Sequence, residues 1–156
     1  MPRELAVGAK APAFTLPRDG GSTVSLKDFI GQKLVLYFYP KADTPGCTAE
    51  AMAFSKQRAA FAKAGTEILG VSADSVEKQD KFIAKHKLKI PLASDETKKM
   101  LTAYGAWGEK LMYGRKFMGI LRKTFLIDAQ GRIARIWPKV SVSGHAEEVL
   151  QAARDL

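Results

Sequence analysis

The chain contains one cysteine, Cys47, and the residues leading into it, Thr44-Pro45-Gly46, are the first place where residue types and spacing point to chemistry. A lone free cysteine is ordinarily a small, inert, buried hydrophobe. Here Pro45 and Gly46 cannot prolong the strand before them, and they deliver Cys47 to the first turn of a helix beyond the carboxyl end of a parallel strand. In open α/β sheets that edge is where ligands bind. Unpaired backbone N–H groups and the helix macrodipole favour an anion there, so the position predicts a thiolate, the nucleophilic form of cysteine. Gly46 lets the backbone come close to a small ligand, and Thr44, three residues before the sulfur, can aim its hydroxyl at the same point. The substrate implied is tiny and oxygen-rich.

The elements that must position this thiol are legible around it. Residues 34–39, Leu-Val-Leu-Tyr-Phe-Tyr, form a continuous apolar run between Gly31 and Pro40, as expected of a central strand covered on both faces. Alanine-rich residues 47–64 place Ala51, Phe54, Arg58 and Phe61 at helical spacing until Gly65. Residues 68–72 follow as a second buried strand, so the unit is strand, helix, strand with parallel strands. A helix capped by Asp74 or Ser75 buries Val76, Phe82 and Ile83, residues 91–94 make a short edge segment, and residues 96–104 a short helix. The glycine-rich stretch 105–119 has no period and reads as a loop. Residues 124–128 and 132–137 pair antiparallel across Ala129-Gln130-Gly131, and Gly144-His145 opens a last helix, 146–153. Near the start, residues 14–16 and 23–26 flank Arg18-Asp19-Gly20-Gly21 as a hairpin. The order is that of an α/β, thioredoxin-like fold: a mixed central sheet flanked by helices, with an N-terminal β-hairpin added, in one domain spanning residues 1–156.

Composition limits the classes open to such a chain. With 156 residues, 46% hydrophobic and 26% charged, it can bury a core and is not disordered. No run approaches the roughly 18 apolar residues that span a bilayer, and residues 1–6 lack the apolar stretch of an export signal, so the expected location is the cytoplasm and no membrane partner is expected. One cysteine excludes an internal disulfide and a multi-cysteine metal site, and His86 and His145 lack metal-ligand spacing, so neither cofactor nor metal is expected. His86 reads as solvated on a lysine-rich helix face, and His145 as a packing or capping residue. The net charge of +9 comes from scattered lysines and arginines rather than a basic stripe, so no nucleic-acid partner is expected. No extra apolar patch is visible, which makes a monomer the default.

The motif Pro40-x-x-x-Thr44-x-x-Cys47 resembles the active-site motif of the peroxiredoxins. Residues 37–41 before it, Glu50 after it, and residues 119–128, Gly-Ile-Leu-Arg-Lys-Thr-Phe-Leu-Ile-Asp, are similar to their bacterioferritin-comigratory, or Q-type, branch. The resemblance covers nearly the whole chain. It implies a thiol-specific peroxidase that reduces hydrogen peroxide and organic hydroperoxides, in antioxidant defence and redox homeostasis. By the same resemblance Cys47 is the peroxidatic cysteine, Arg122 reaches it from the later strand, Thr44 hydrogen-bonds the peroxide, Pro40 shields the pocket and Glu50 orients Arg122. Taken singly, Thr44 reads equally as a turn residue, Pro40 as a strand terminator and Glu50 with Arg122 as a surface ion pair.

Many members of this branch carry a resolving cysteine five residues after the first or on the following helix, where this chain has Met52 and Ile83. Both are apolar residues that pack well in a helix, so the chain reads as a natural one-cysteine variant. The thiol would pass through a sulfenic acid and be regenerated by an external thiol: thioredoxin, glutaredoxin with glutathione, or a similar reductant. A thiol transferase acting through Cys47 alone is the rival enzyme class. Trp107, Tyr113, Phe117 and Met118 are candidates for a pocket wall, with core or loop packing as the alternative.

Overall fold

The computed structural model describes residues 5–156, so residues 1–4 of the segment read for an export signal lie outside it. Nine strands and five α-helices succeed one another among these residues. Strands β1 (Thr15–Pro17) and β2 (Thr23–Ser25) form the N-terminal hairpin. The central sheet contains β3 (Lys33–Phe38), β4 (Thr66–Ser72), β5 (Leu92–Ser94), β8 (Lys123–Ile127) and β9 (Ile133–Trp137) in the order β5-β4-β3-β8-β9. β3 runs parallel to β4 and β4 to β5, whereas β8 is antiparallel to both β3 and β9. This mixed sheet with its flanking helices bears out the predicted thioredoxin-like plan.

The unbroken apolar run of β3 has the predicted cause. Leu34, Leu36 and Phe38 enter one core layer with Leu69, Val71, Phe125 and Ile127, while Val35 and Tyr37 enter another with Phe54, Phe61, Leu126 and Val149. Successive side chains of a strand point to opposite faces, so a strand covered on both sides cannot alternate with polar residues. Gly70 of β4 is required by this packing, because a Cβ there would stand 2.8 Å from Leu92 Cδ2 and from Cζ and Oη of Tyr37. Tyr37 is fully buried and stacks on Phe54 with centroids 4.7 Å apart, so it has nowhere to retreat. Gly70→Ala is therefore expected to destabilise the fold by about 1–3 kcal/mol. Thermal unfolding checks this, at about 2–4 °C per kcal/mol for a chain of this size.

Four sequence expectations need correction. The helix predicted over 47–64 begins earlier, at Pro45, and is broken: α1 (Pro45–Lys56) and α2 (Arg58–Lys63) meet at Gln57, where φ is −93° and ψ 4°. Proline fits the first helical position because its missing N–H would be unpaired there in any case. In α3 (Val76–His86), Phe82 is buried as expected and Ser75 is the cap, accepting from the Lys78 amide, but Val76 and Ile83 are only half-buried and Gln79 is fully buried. The short helix α4 (Lys99–Ala103) starts later than residue 96 because Lys98 is left-handed, φ 65°. The fourth correction is the largest: residues 105–119 are no loop, since β6 (Trp107–Met112) and β7 (Arg115–Ile120) pair as an antiparallel hairpin around Tyr113-Gly114. Both turn residues have positive φ, 52° and 73°, the backbone of a primed two-residue turn, in which a tyrosine at the first position is a poor sequence signal. The last helix, α5 (His145–Asp155), opens at Gly144 as predicted.

Candidate active site

Strand β3 ends at Phe38, and Tyr39 and Pro40 carry the chain into a loop that re-enters the fold as α1. Thr44 is the N-cap of α1 with extended φ/ψ, Pro45 is the first helical residue, and Cys47 lies in the first turn, 1% exposed, against Tyr37, Tyr39, Ala51 and Phe54. Thr44 makes no side-chain capping bond; its hydroxyl donates instead to the Lys41 carbonyl, 2.8 Å away. The first-turn amides that such a cap would satisfy stay without a side-chain partner, which suits an anion or a polar ligand oxygen.

Arg122 stands in the short joint between β7 and β8, just ahead of the strand from which the resemblance has it reach Cys47. Its Nη2 donates to Cys47 Sγ at 3.3 Å and its Nη1 to Glu50 Oε1 at 2.5 Å. Cys47, Glu50 and Arg122, which the resemblance places in one site, are thus one hydrogen-bonded row. Glu50, three residues after Cys47 on α1, is buried with its side chain 1% exposed, so the pair is no surface ion pair. A Cβ at Gly46 would sit 3.3 Å from Arg122 Nη2, so the glycine makes room for the guanidinium. Pro40 is half-buried at the mouth of the same loop. The guanidinium 3.3 Å from the sulfur is a fixed cation that faces any negative charge that develops on a ligand beside it.

The electrostatics of the row follow from burial. Burial pushes the Glu50 carboxyl up to about 7, with Arg122 opposing the rise by charge and hydrogen bond. Burial also works against the charge on Arg122, but Glu50 and Cys47 more than offset it and hold Arg122 above its ordinary range. The folded chain therefore retains a proton on Glu50 that the unfolded chain, at the ordinary 4.5, has released, and stability should fall as pH climbs from 4.5 through about 7. Glu50→Gln keeps the shape and an acceptor oxygen but cannot titrate, so it should lose that slope. Thermal midpoints of both proteins measured across this window check the point, and parallel curves would count against it.

Several residues that hold the site gave no signal in the sequence. The Ala42 amide donates to Asp74 Oδ2 at 2.7 Å, and Ser72 Oγ donates to the same oxygen at 2.7 Å. Gln79 Nε2 donates to Ser72 Oγ and to the Ala93 carbonyl, and its Oε1 accepts from the Tyr39 hydroxyl at 2.5 Å. This chain of bonds ties the active-site loop to β4, β5 and α3, and explains why Gln79 is buried. Asp43, left-handed at φ 61°, takes Lys85 Nζ and His86 Nε2, each at 2.8 Å. These two partners hold its carboxyl below the usual range, His86 contributing most. His86 is therefore not simply solvated: it is half-buried, paired with Asp43 and edge-on to Phe82. His145 is a packing residue as expected, buried edge-on to Phe54 and Trp137 with Nε2 2.8 Å from Thr124 Oγ1. Burial keeps it below its ordinary range; Glu148 opposes this and Arg122 adds to it.

The proposed pocket wall is not assembled. Trp107 packs half-buried on the core layer containing Phe38, while Tyr113, Phe117 and Met118 are exposed on the β6–β7 hairpin. Among the described residues, no group of three or more His, Cys, Asp or Glu side chains could hold a metal ion, and no helix is long and apolar enough to cross a membrane.

A mixed sheet whose central strand leads through a short loop to a thiol in the first turn of a helix defines a thioredoxin-like thiol protein. The AhpC/TSA family matches residues 7–136, and the chain belongs to that family. It is 48% identical to the putative peroxiredoxin bcp of Coxiella burnetii, over 94% of this chain and 97% of the relative. The structure matches a cysteine-to-serine mutant of Xylella fastidiosa PrxQ with a TM-score of 0.93 at 38% identity, over 98% of both chains. It also matches the Xanthomonas campestris bacterioferritin comigratory protein, solved to study that protein's alkyl peroxide reduction, with a TM-score of 0.87 at 43% identity, over 91% of this chain and 90% of that one. These Bcp and PrxQ relatives bear out the resemblance seen in the sequence, and with it thiol peroxidase activity.

Proposed function

We propose that residues 1–156 act as one domain that reduces hydrogen peroxide and alkyl hydroperoxides through Cys47, and that an external thiol restores the enzyme. The observation that carries this reading is the row Glu50–Arg122–Cys47, which holds a cation against the only sulfur nucleophile in the chain. The Cys47 thiolate attacks one peroxide oxygen, the O–O bond breaks, the departing oxygen takes up a proton and leaves as water or alcohol, and sulfur becomes a sulfenic acid. Arg122 stabilises the thiolate and the charge growing on the departing oxygen. Glu50 fixes the guanidinium, Thr44, whose proton goes to the Lys41 carbonyl, lets its Oγ1 accept the peroxide O–H from the helix cap, and Pro40 shelters the sulfur from bulk water.

With one cysteine, no internal disulfide can form, so a thiol from outside attacks the sulfenic acid, releasing water, and a second thiol resolves the mixed disulfide. Thioredoxin, or glutaredoxin with glutathione, has the chemistry to do this. Dependence on outside thiols fits a reducing compartment, the cytoplasm. Copies that each carry +9 repel one another, which favours a monomer. A thiol transferase is the weaker reading, since Pro45-Gly46-Cys47-Thr48 supplies no second sulfur for dithiol exchange.

Intact-protein mass spectrometry after one equivalent of hydrogen peroxide tests the proposal. The expected product gains one oxygen, is trapped by a sulfenic-acid reagent at Cys47, and returns to the starting mass with excess thiol. A protein that stays unmodified while a disulfide substrate consumes its thiol would instead be a transferase.

A further inference from the structure

The β6–β7 hairpin departs from the expectation that no apolar patch is exposed. Every residue from 111 to 118 is exposed, and five of them are large and apolar: Leu111, Met112, Tyr113, Phe117 and Met118. Tyr113, at the turn, is 98% exposed. Partners across the ribbon share a face and successive residues alternate. The register therefore puts Leu111 and Met118 with Lys116 and Glu109 on one face, and Met112 and Phe117 with Arg115 and Lys110 on the other. Lys116 pairs with Glu109 at 3.7 Å, whereas Lys110 and Arg115 make no ion pair among the described residues. The Lys110 stem lies across Gly119, where a Cβ would come within 2.9 Å of its Cδ. Both faces and the tip of the hairpin are thus apolar, with cations interleaved.

We propose that this hairpin docks the protein on bilayers rich in anionic lipid, the tip entering the headgroup region and the cations meeting the lipid charges. The shape selects the occupant. A folded protein partner covers one face of a narrow ribbon, whereas a fluid interface covers both faces and the tip at once. A second copy would bring like-charged hairpins together on chains that each carry +9. Apolar residues with flanking cations and a tyrosine at the boundary are the composition that binds an anionic membrane surface without spanning it. β7 ends at Ile120, two residues before Arg122, so a docked hairpin would hold the thiol site close to the lipid surface.

Cosedimentation of the reduced full-length chain with vesicles tests docking by itself, independently of peroxidase activity. Vesicles of mixed phosphatidylglycerol and phosphatidylcholine should take up the protein with a partition coefficient at least about tenfold above that for pure phosphatidylcholine, and added salt should weaken the uptake. The variant Leu111→Ser/Tyr113→Ser/Phe117→Ser changes exposed side chains only. It should keep its circular dichroism and its reaction with hydrogen peroxide while losing about tenfold or more in partition. No uptake of the parent by the anionic vesicles, or equal uptake of parent and variant, would overturn the assignment. So would a concentration-dependent dimer of the parent in sedimentation velocity that the variant abolishes, because the hairpin would then belong to a second copy.

Discussion

Cys47→Ser is expected to leave a folded protein with no hydroperoxide reductase turnover above the uncatalysed reaction. The substitution removes the sole thiol of the chain but little volume, and the serine hydroxyl can still accept from Arg122 Nη2 in the buried position that Cys47 occupies. Serine fails because its hydroxyl is not ionised at neutral pH, and no general base stands beside it to take the proton; Glu50 is engaged by Arg122 instead. Loss of a covalent nucleophile costs on the order of 10⁶-fold in rate. Stopped-flow or coupled assays with hydrogen peroxide measure the loss, and unchanged circular dichroism establishes that the fold persists. Retention of even one per cent of parental turnover would remove Cys47 from the centre of the mechanism.

The second large effect is expected at Arg122. Arg122→Met keeps an unbranched stem but deletes the guanidinium that bonds Cys47 Sγ and Glu50 together. The variant loses the cation that faces the attacking sulfur and the charge growing on the departing oxygen. Removing one preorganised donor of this kind costs about 100- to 1,000-fold in rate. Raising the pH cannot replace the donor, so the loss should persist at alkaline pH. The pH profile of peroxide reduction, measured for parent and variant, checks this. A rate at neutral pH within about threefold of the parent would make Arg122 a structural residue. Arg122→Lys should also be strongly impaired, because a single ammonium cannot reach the sulfur and the carboxylate with two fixed N–H groups.

Glu50 shows how the sequence and the fold share the explanation. Its position three residues after Cys47 put it on the same helix face, a matter of helical spacing alone. That it is buried, that burial raises its proton affinity, and that Arg122 arrives from 72 residues further along are consequences of β8 pairing with β3. Local spacing carries no information about a contact of that range.

By itself the sequence determined the elements whose signals are local and periodic. The apolar run of β3, the Thr44-Pro45-Gly46 entry to α1, the strands at 124–128 and 132–137 and the helix opened at Gly144 all follow from hydrophobic pattern, proline and glycine. The single cysteine likewise bounded the chemistry, since no internal disulfide is possible. Only the tertiary structure decided the rest. Gln79 is polar and yet buried because three elements converge on its amide, and Asp43 and Asp74 hold the active-site loop through partners that folding brings to them. The β6–β7 hairpin escaped pattern reading because both faces of its outer part, residues 111–118, meet solvent. With neither face buried, no alternation of apolar and polar residues is required, and period-two hydrophobicity marks a strand only where one side must face a core.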